Sequence, residues 1–151
     1  MLAFKTHKTF HTRSPQELVE VVEELKNLFK PRTILLLEGP VGAGKTELVK
    51  ALTKSMGLPA TASPSFAIHH RYENTDHSVS LDHVDLYRLK DEDDLESTGF
   101  WDLFALAKGL VVIEWAERLD EDLLPLNWAK IKVKIQLTAD PSERHLSVFT
   151  L

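Results

Sequence analysis

The chain has 151 residues, 43% of them hydrophobic and 27% charged, with a formal net charge of −5 and no cysteine. Its length predicts one domain, residues 1–151, with a core of its own. The acidic balance argues against a general nucleic-acid binder, the missing cysteines remove disulfides and thiolate metal sites, and no stretch is apolar enough to span a membrane or form a signal-peptide core. The expected location is the cytoplasm, with no membrane partner.

Residues 8–13 alternate enough for a short edge strand. Ser14-Pro15-Gln16-Glu17 has the form of a capping box with proline at the first helical position. The helix it starts carries Leu18, Val21, Val22, Leu25, Leu28 and Phe29 on one face and stops before Pro31. Residues 33–38 are short, apolar and β-branched at their start, which predicts a buried strand; residues 47–56 have helical apolar spacing and close on Gly57. Residues 61–66 are small, polar and broken by Pro64, which predicts an exposed loop. Residues 67–73 and 78–85 read as two strands joined by a hairpin loop at 74–77. An acidic helix follows over 91–98, with Asp91 or its neighbour as cap, then a helical turn or two over 99–107. Residues 109–114 are a continuous apolar run that suits a parallel strand covered on both faces. A short helix over 115–120 precedes a half-exposed antiparallel strand at 128–138 and its hairpin partner at 144–150. The fold class is therefore α/β: a central mixed, mostly parallel sheet with helices on both sides and antiparallel additions.

Between the first buried strand and its helix stands Gly39-Pro40-Val41-Gly42-Ala43-Gly44-Lys45-Thr46, which fits the phosphate-binding P-loop pattern G-x-x-x-x-G-K-[ST]. Strand, glycine loop and helix are the context that makes the match a site. Glycines let backbone N–H groups turn onto a phosphate, and the helix N-terminus adds partial positive charge. Lys45 is expected to reach the outer phosphates and the Thr46 hydroxyl to ligate Mg²⁺. Pro40, Val41, Gly42, Ala43 and Gly44 complete the cradle.

Such a loop needs a carboxylate at the end of a neighbouring strand to hold Mg²⁺ directly or through water. Glu114, after Leu110-Val111-Val112-Ile113, stands where open α/β sheets bind ligands, and Asp85 ends the strand of Leu81 and His83. His83 and Asp85 share a strand face, which would allow a hydrogen bond; His69 and His70 point to opposite faces. Ser63 and Ser65 fall where a loop sensing the γ-phosphate could lie. No guanine-reading N-K-x-D follows the core strands, so ATP is expected over GTP, and no arginine-rich kinase lid is present.

The ordered set of this loop, Ser63-Pro64-Ser65-Phe66, His83-Val84-Asp85-Leu86-Tyr87-Arg88-Leu89 and Glu114-Trp115 resembles the TsaE (YjeE) ATPase family of bacteria. The resemblance runs from Ser14 through Arg144. It implies a P-loop fold, binding of ATP and Mg²⁺, and weak hydrolysis that needs the TsaD and TsaB subunits of the complex making the threonylcarbamoyladenosine modification of tRNA, so that tRNA is met indirectly. In family terms residues 63–66 match a switch-like loop. Asp85 matches the acid that serves hydrolysis or metal positioning, Glu114 the Mg²⁺ ligand and Trp115 its neighbour at the nucleotide. Lys45 and Asp85 are thus the expected catalytic pair, and Thr46, Glu114 and Asp85 the expected metal set. The family usually has threonine at Ser65, where a hydroxyl survives, and often at Leu18, where a nucleotide contact is lost; adenine is expected near residues 12–15. The alternatives are a small-molecule P-loop kinase, disfavoured by the missing lid, and a nucleotide-gated binding module without turnover.

Overall fold

The structure is a computed structural model describing residues 2–60, 63–66, 68–87 and 89–151, with 63–66 and Glu92 described as backbone. Its centre is β2 (Arg32–Glu38), in which the five residues from Thr33 to Leu37 are all buried. A strand can be apolar on both faces only if both are covered. Leu35 and Leu37 pack into one core with Leu18, Val21, Val22 and Leu25 of α1 (Leu18–Leu28) and Leu48, Val49 and Leu52 of α2 (Lys45–Ser55). Ile34 and Leu36 pack into the opposite core, closed by Leu95 of α3 (Glu92–Ser97), Phe100, Leu103 and Trp128. Each fully buried leucine contributes about 1.5–3 kcal/mol of transfer free energy.

Among the described residues eight strands form one sheet, and β2 sits in its middle. The others are β1 (Lys5–Thr12), β3 (Ser63–Phe66), β4 (His69–Glu73), β5 (Ser80–Asp85), β6 (Gly109–Glu114), β7 (Ala129–Leu137) and β8 (Arg144–Thr150), in the spatial order β1-β8-β7-β2-β6-β5-β4-β3. β7, β2, β6 and β5 run parallel; the pairings outside them, β1 with β8, β8 with β7, β5 with β4 and β4 with β3, are antiparallel. The expectation of a mostly parallel sheet is corrected here: three of the seven pairings are parallel, and they form the centre. Helices do lie on both sides.

Other expectations change locally. The strand over 128–138 is antiparallel only toward β8; toward β2 it is parallel, with Lys130 and Lys132 buried. Lys130 ends its apolar stem with two hydrogen bonds, donating to the Pro125 and Trp128 carbonyls at 2.7 and 2.9 Å. Residues 63–66 are a strand, not a loop, because pairing with β4 supplies backbone partners; Thr61, Ala62, Ala67 and the side chains of Ser63 and Ser65 lie outside the described residues. Ser14 makes no capping bond. A 3-10 turn at Pro15–Glu17 comes first, and Glu17 accepts from the Arg13 N–H at 2.8 Å. The segments expected as helical turns at 99–107 and 115–120 contain the 3-10 turns Phe100–Ala105 and Ala116–Arg118. Asp91 does cap α3, accepting from the Asp94 N–H at 2.9 Å. His69 is buried against Asp82 at 2.7 Å while His70 is exposed, as alternation requires.

Candidate functional site

The parallel strands β2, β6 and β5 end at one edge of the sheet, at Glu38, Glu114 and Asp85. The glycine loop leaves β2 at that edge and becomes α2 at Lys45. Gly44, at the cap, has φ 107°, a left-handed conformation that costs glycine nothing. Gly39 is needed for space: a Cβ there would lie 2.8 Å from the Ile135 carbonyl oxygen. The Ala43 N–H donates to the Pro40 carbonyl at 3.1 Å and tightens the turn. Val41 stands at the tip, 69% exposed.

Lys45 is only 5% exposed. Its Nζ donates to the carbonyls of Gly39 and Pro40, the latter at 3.1 Å, and lies 3.8 Å from the Trp115 ring centre. Burial holds this ammonium below the ordinary lysine value, while Glu117, Glu114 and Asp85 act in the opposite sense. The group is thus a desolvated cation facing the cavity, and an anion there would relieve its burial cost.

Glu114, 3% exposed, meets two partners. The Thr46 hydroxyl donates to Oε1 at 3.2 Å, and the His83 ring nitrogen Nε2 is hydrogen-bonded to Oε2. With Glu114 ionised, Nε2 must carry the proton. The expected His83–Asp85 pair is therefore replaced: β5 and β6 place Asp85 level with Glu114, and His83 reaches across to Glu114. Asp85 Oδ1 instead accepts the Tyr87 N–H at 2.9 Å. Val41, the residues from Gly42 to Thr46, Asp85, Glu114 and Trp115 all line one open cavity of about 410 Å³. Thr46, Asp85 and Glu114 offer it oxygen donors, a hydroxyl and two carboxylates, which suit a hard cation such as Mg²⁺. Among the described residues no cluster of three His, Cys, Asp or Glu side chains is arranged to hold a metal. A cation at this mouth would therefore also need phosphate or water oxygens.

Trp115 follows Glu114 with φ 60°, uncommon for a bulky residue. Its ring lies 4.9 Å from that of Tyr87, with the Arg118 guanidinium 5.7 Å away. Together they make an aromatic wall opposite the loop. The expected set Pro40, Val41, Gly42, Ala43, Gly44, Lys45, Thr46, Asp85, Glu114 and Trp115 is thus brought together around one loop. Ser63 and Ser65 lie outside the described side chains, as does Arg88 altogether.

Two features escaped the sequence reading. The cost of desolvating its charge, then the charge of Glu38, pushes the Glu117 carboxyl up, while Lys45 acts in the opposite sense. Arg144, at the start of β8, donates to the Ala43 and Gly42 carbonyls at 3.0 and 3.1 Å. A second cavity of about 330 Å³ lies on the far side of the loop, bounded by Thr12, Pro15, Leu18, Ala43, Ile135 and Leu146 among others. No local signal marks Arg144, because its partners are about a hundred residues away in sequence and depend on the sheet order.

The family model described as "Threonylcarbamoyl adenosine biosynthesis protein TsaE" matches residues 12–146. The chain belongs to the TsaE family. The match takes in the glycine loop, both strand-end carboxylates and Arg144. Named relatives agree. The tRNA threonylcarbamoyladenosine biosynthesis protein TsaE of Aquifex aeolicus is 34% identical over 130 residues, 80% of this chain and 90% of its own. That of Rickettsia conorii is 32% identical over 93% of this chain and 77% of its own, and that of Bacillus subtilis 33% over 76% and 70%. A crystal structure of YdiB from Bacillus subtilis aligns over 99% of this chain and 88% of its own, with a TM-score of 0.70 and 25% identity. TsaE-family membership therefore ties the chain to threonylcarbamoyladenosine biosynthesis in tRNA.

Proposed function

We propose that this chain is a single-domain, cytoplasmic ATPase of P-loop NTPase type that drives or resets a complex of TsaB and TsaD subunits during threonylcarbamoyl modification of tRNA adenosine. The observation carrying this reading is the contact of Thr46 with Glu114 at the head of the glycine loop, with Asp85 level beside it on the same cavity. A phosphate-binding turn alone would not need two strand-end carboxylates facing the helix's first hydroxyl. No helix among the described residues is long and apolar enough to cross a membrane, and the family's work on tRNA fits a cytoplasmic location.

In this reading loop N–H groups and Lys45 bind the β- and γ-phosphates, and Lys45 exchanges its bonds to Gly39 and Pro40 for phosphate oxygens. Thr46 and Glu114 would hold Mg²⁺, which when bound would neutralise charge on the phosphate oxygens. His83 donates to Glu114 and keeps that carboxylate turned toward Thr46. Asp85 orients or deprotonates the attacking water, or would help to hold the metal. The base lies in the apolar cavity beside Pro15 and Leu18, consistent with the expectation of adenine near residues 12–15. Lys45 and the loop dipoles stabilise charge developing on the transferring phosphoryl group.

The test is phosphate release from ATP by the purified chain, alone and with TsaB and TsaD. Slow turnover that rises on adding both partners, and that Lys45→Ala abolishes while the melting temperature holds, is the expected result. Fast turnover alone would favour a kinase-like enzyme, and no release even in the complex would leave a binding module.

A further inference from the structure

Arg144 directs all three of its guanidinium nitrogens, through four hydrogen bonds, to backbone carbonyls. Nε donates to Ala43 at 3.0 Å and Nη2 to Gly42 at 3.1 Å, both in the glycine loop. Nη1 donates to Pro141 at 2.6 Å and to Glu143 at 2.8 Å, in the turn between β7 and β8. Among the described residues no carboxylate is within ion-pair distance of it. A planar five-donor fork can hold two elements at once, which the single point charge of lysine cannot.

We propose that Arg144 is a positioning residue for phosphate binding: it clamps the loop in the form that receives a polyphosphate. A trans peptide directs its C=O and its N–H to opposite sides. Holding the Ala43 oxygen toward Arg144 therefore turns the Gly44 N–H away from it. The carbonyl dipoles that would repel a phosphate are drawn out of the cradle, and the positive charge of Arg144 is fixed just behind it. The same side chain borders the apolar cavity with Pro141 and Ser142, so the β7–β8 turn joins that cavity to the loop. The inference rests on the phosphate-binding reading of the loop.

Titration calorimetry with ATP, with tripolyphosphate and with adenosine, on the full chain and on Arg144→Ala and Arg144→Lys, tests it. Losing two charge-assisted bonds to the loop is expected to weaken ATP and tripolyphosphate about ten-fold or more and by the same factor, with adenosine affinity unchanged. Arg144→Lys should recover thermal stability but not the phosphate affinity. If affinity for tripolyphosphate is unchanged in both variants while the melting temperature falls, Arg144 is a prop and the inference is wrong. Loss confined to adenosine overturns it as well, in favour of a contact to the base. Wild-type protein binding neither ATP nor tripolyphosphate removes the nucleotide reading, and this inference with it.

Discussion

Glu114 and Asp85 are both strand-end acids, yet their surroundings differ. Glu114 is buried and already hydrogen-bonded to Thr46 and His83, whereas Asp85 is partly exposed and bonds the Tyr87 backbone. Glu114→Ala should therefore weaken Mg²⁺-dependent nucleotide binding about ten-fold or more, and Asp85→Ala less, read from Mg²⁺ titrations of nucleotide affinity. Equal titrations in both variants would merge the two roles. The residue types were legible in sequence, because a strand pattern fixes which acids stand at strand ends. Partner choice was not: His83 shares a face with both Asp85 and, across the ladder, Glu114, and only the register decides between them. Lys130 carries a pH prediction. Burial lowers its pKa, so the folded chain binds this proton less tightly than the unfolded chain does. The stability cost is full below the folded pKa and is relieved as pH rises from there toward the unfolded value of about 10.4. Lys130→Met removes that dependence. Wild type should thus gain stability relative to the variant as pH rises toward about 10.4, in urea unfolding at each pH.

At the scale of elements, the loop and β7 are fitted to each other. The Gly39 Cα faces the Ile135 carbonyl, and Gly39→Ala would drive a Cβ to 2.8 Å from it. Neither side of that contact is a flexible side chain, so the loop or β7 must shift, costing about 1–3 kcal/mol. Thermal melts should fall accordingly, and nucleotide affinity should fall with them because the displaced segment is the cradle. An unchanged melt would mean that the loop has slack. Strands β2, β6 and β8 were plain in sequence because pattern and environment agree. β7 was read as half-exposed since Lys130 and Lys132 interrupt its apolar series; both lysines are buried, the first with its ammonium on backbone carbonyls and the second beside Glu38 and Glu121. β3 was hidden by Pro64, which an edge strand tolerates. The Ser14 capping box failed because the chain turns through a 3-10 segment first, leaving Glu17 to reach Arg13 instead.

The whole molecule hangs on β2, which shares both cores. Leu35 faces α1 and α2, and Leu36 faces Phe100 and Trp128. If the chain is one cooperative domain, Leu35→Ala and Leu36→Ala each cost about 2–5 kcal/mol and shift the same single unfolding transition, whether followed by far-ultraviolet circular dichroism or by tryptophan emission. Separate transitions would divide the two layers. The sheet order itself was the least legible feature, because it depends on pairings between distant segments that no local pattern encodes. That order sets a timetable. Lys5 of β1 pairs with Thr150 of β8, and β2 needs β7 as its neighbour. During synthesis the first strand must wait for the last, and the glycine loop stands complete long before Ile135 and Arg144 arrive to brace it. Such long-range closure slows folding. A nascent chain released from the ribosome before β8 emerges would carry every residue of the phosphate cradle, an unpaired β1 and a bare edge on β7, without the frame that makes the cradle work.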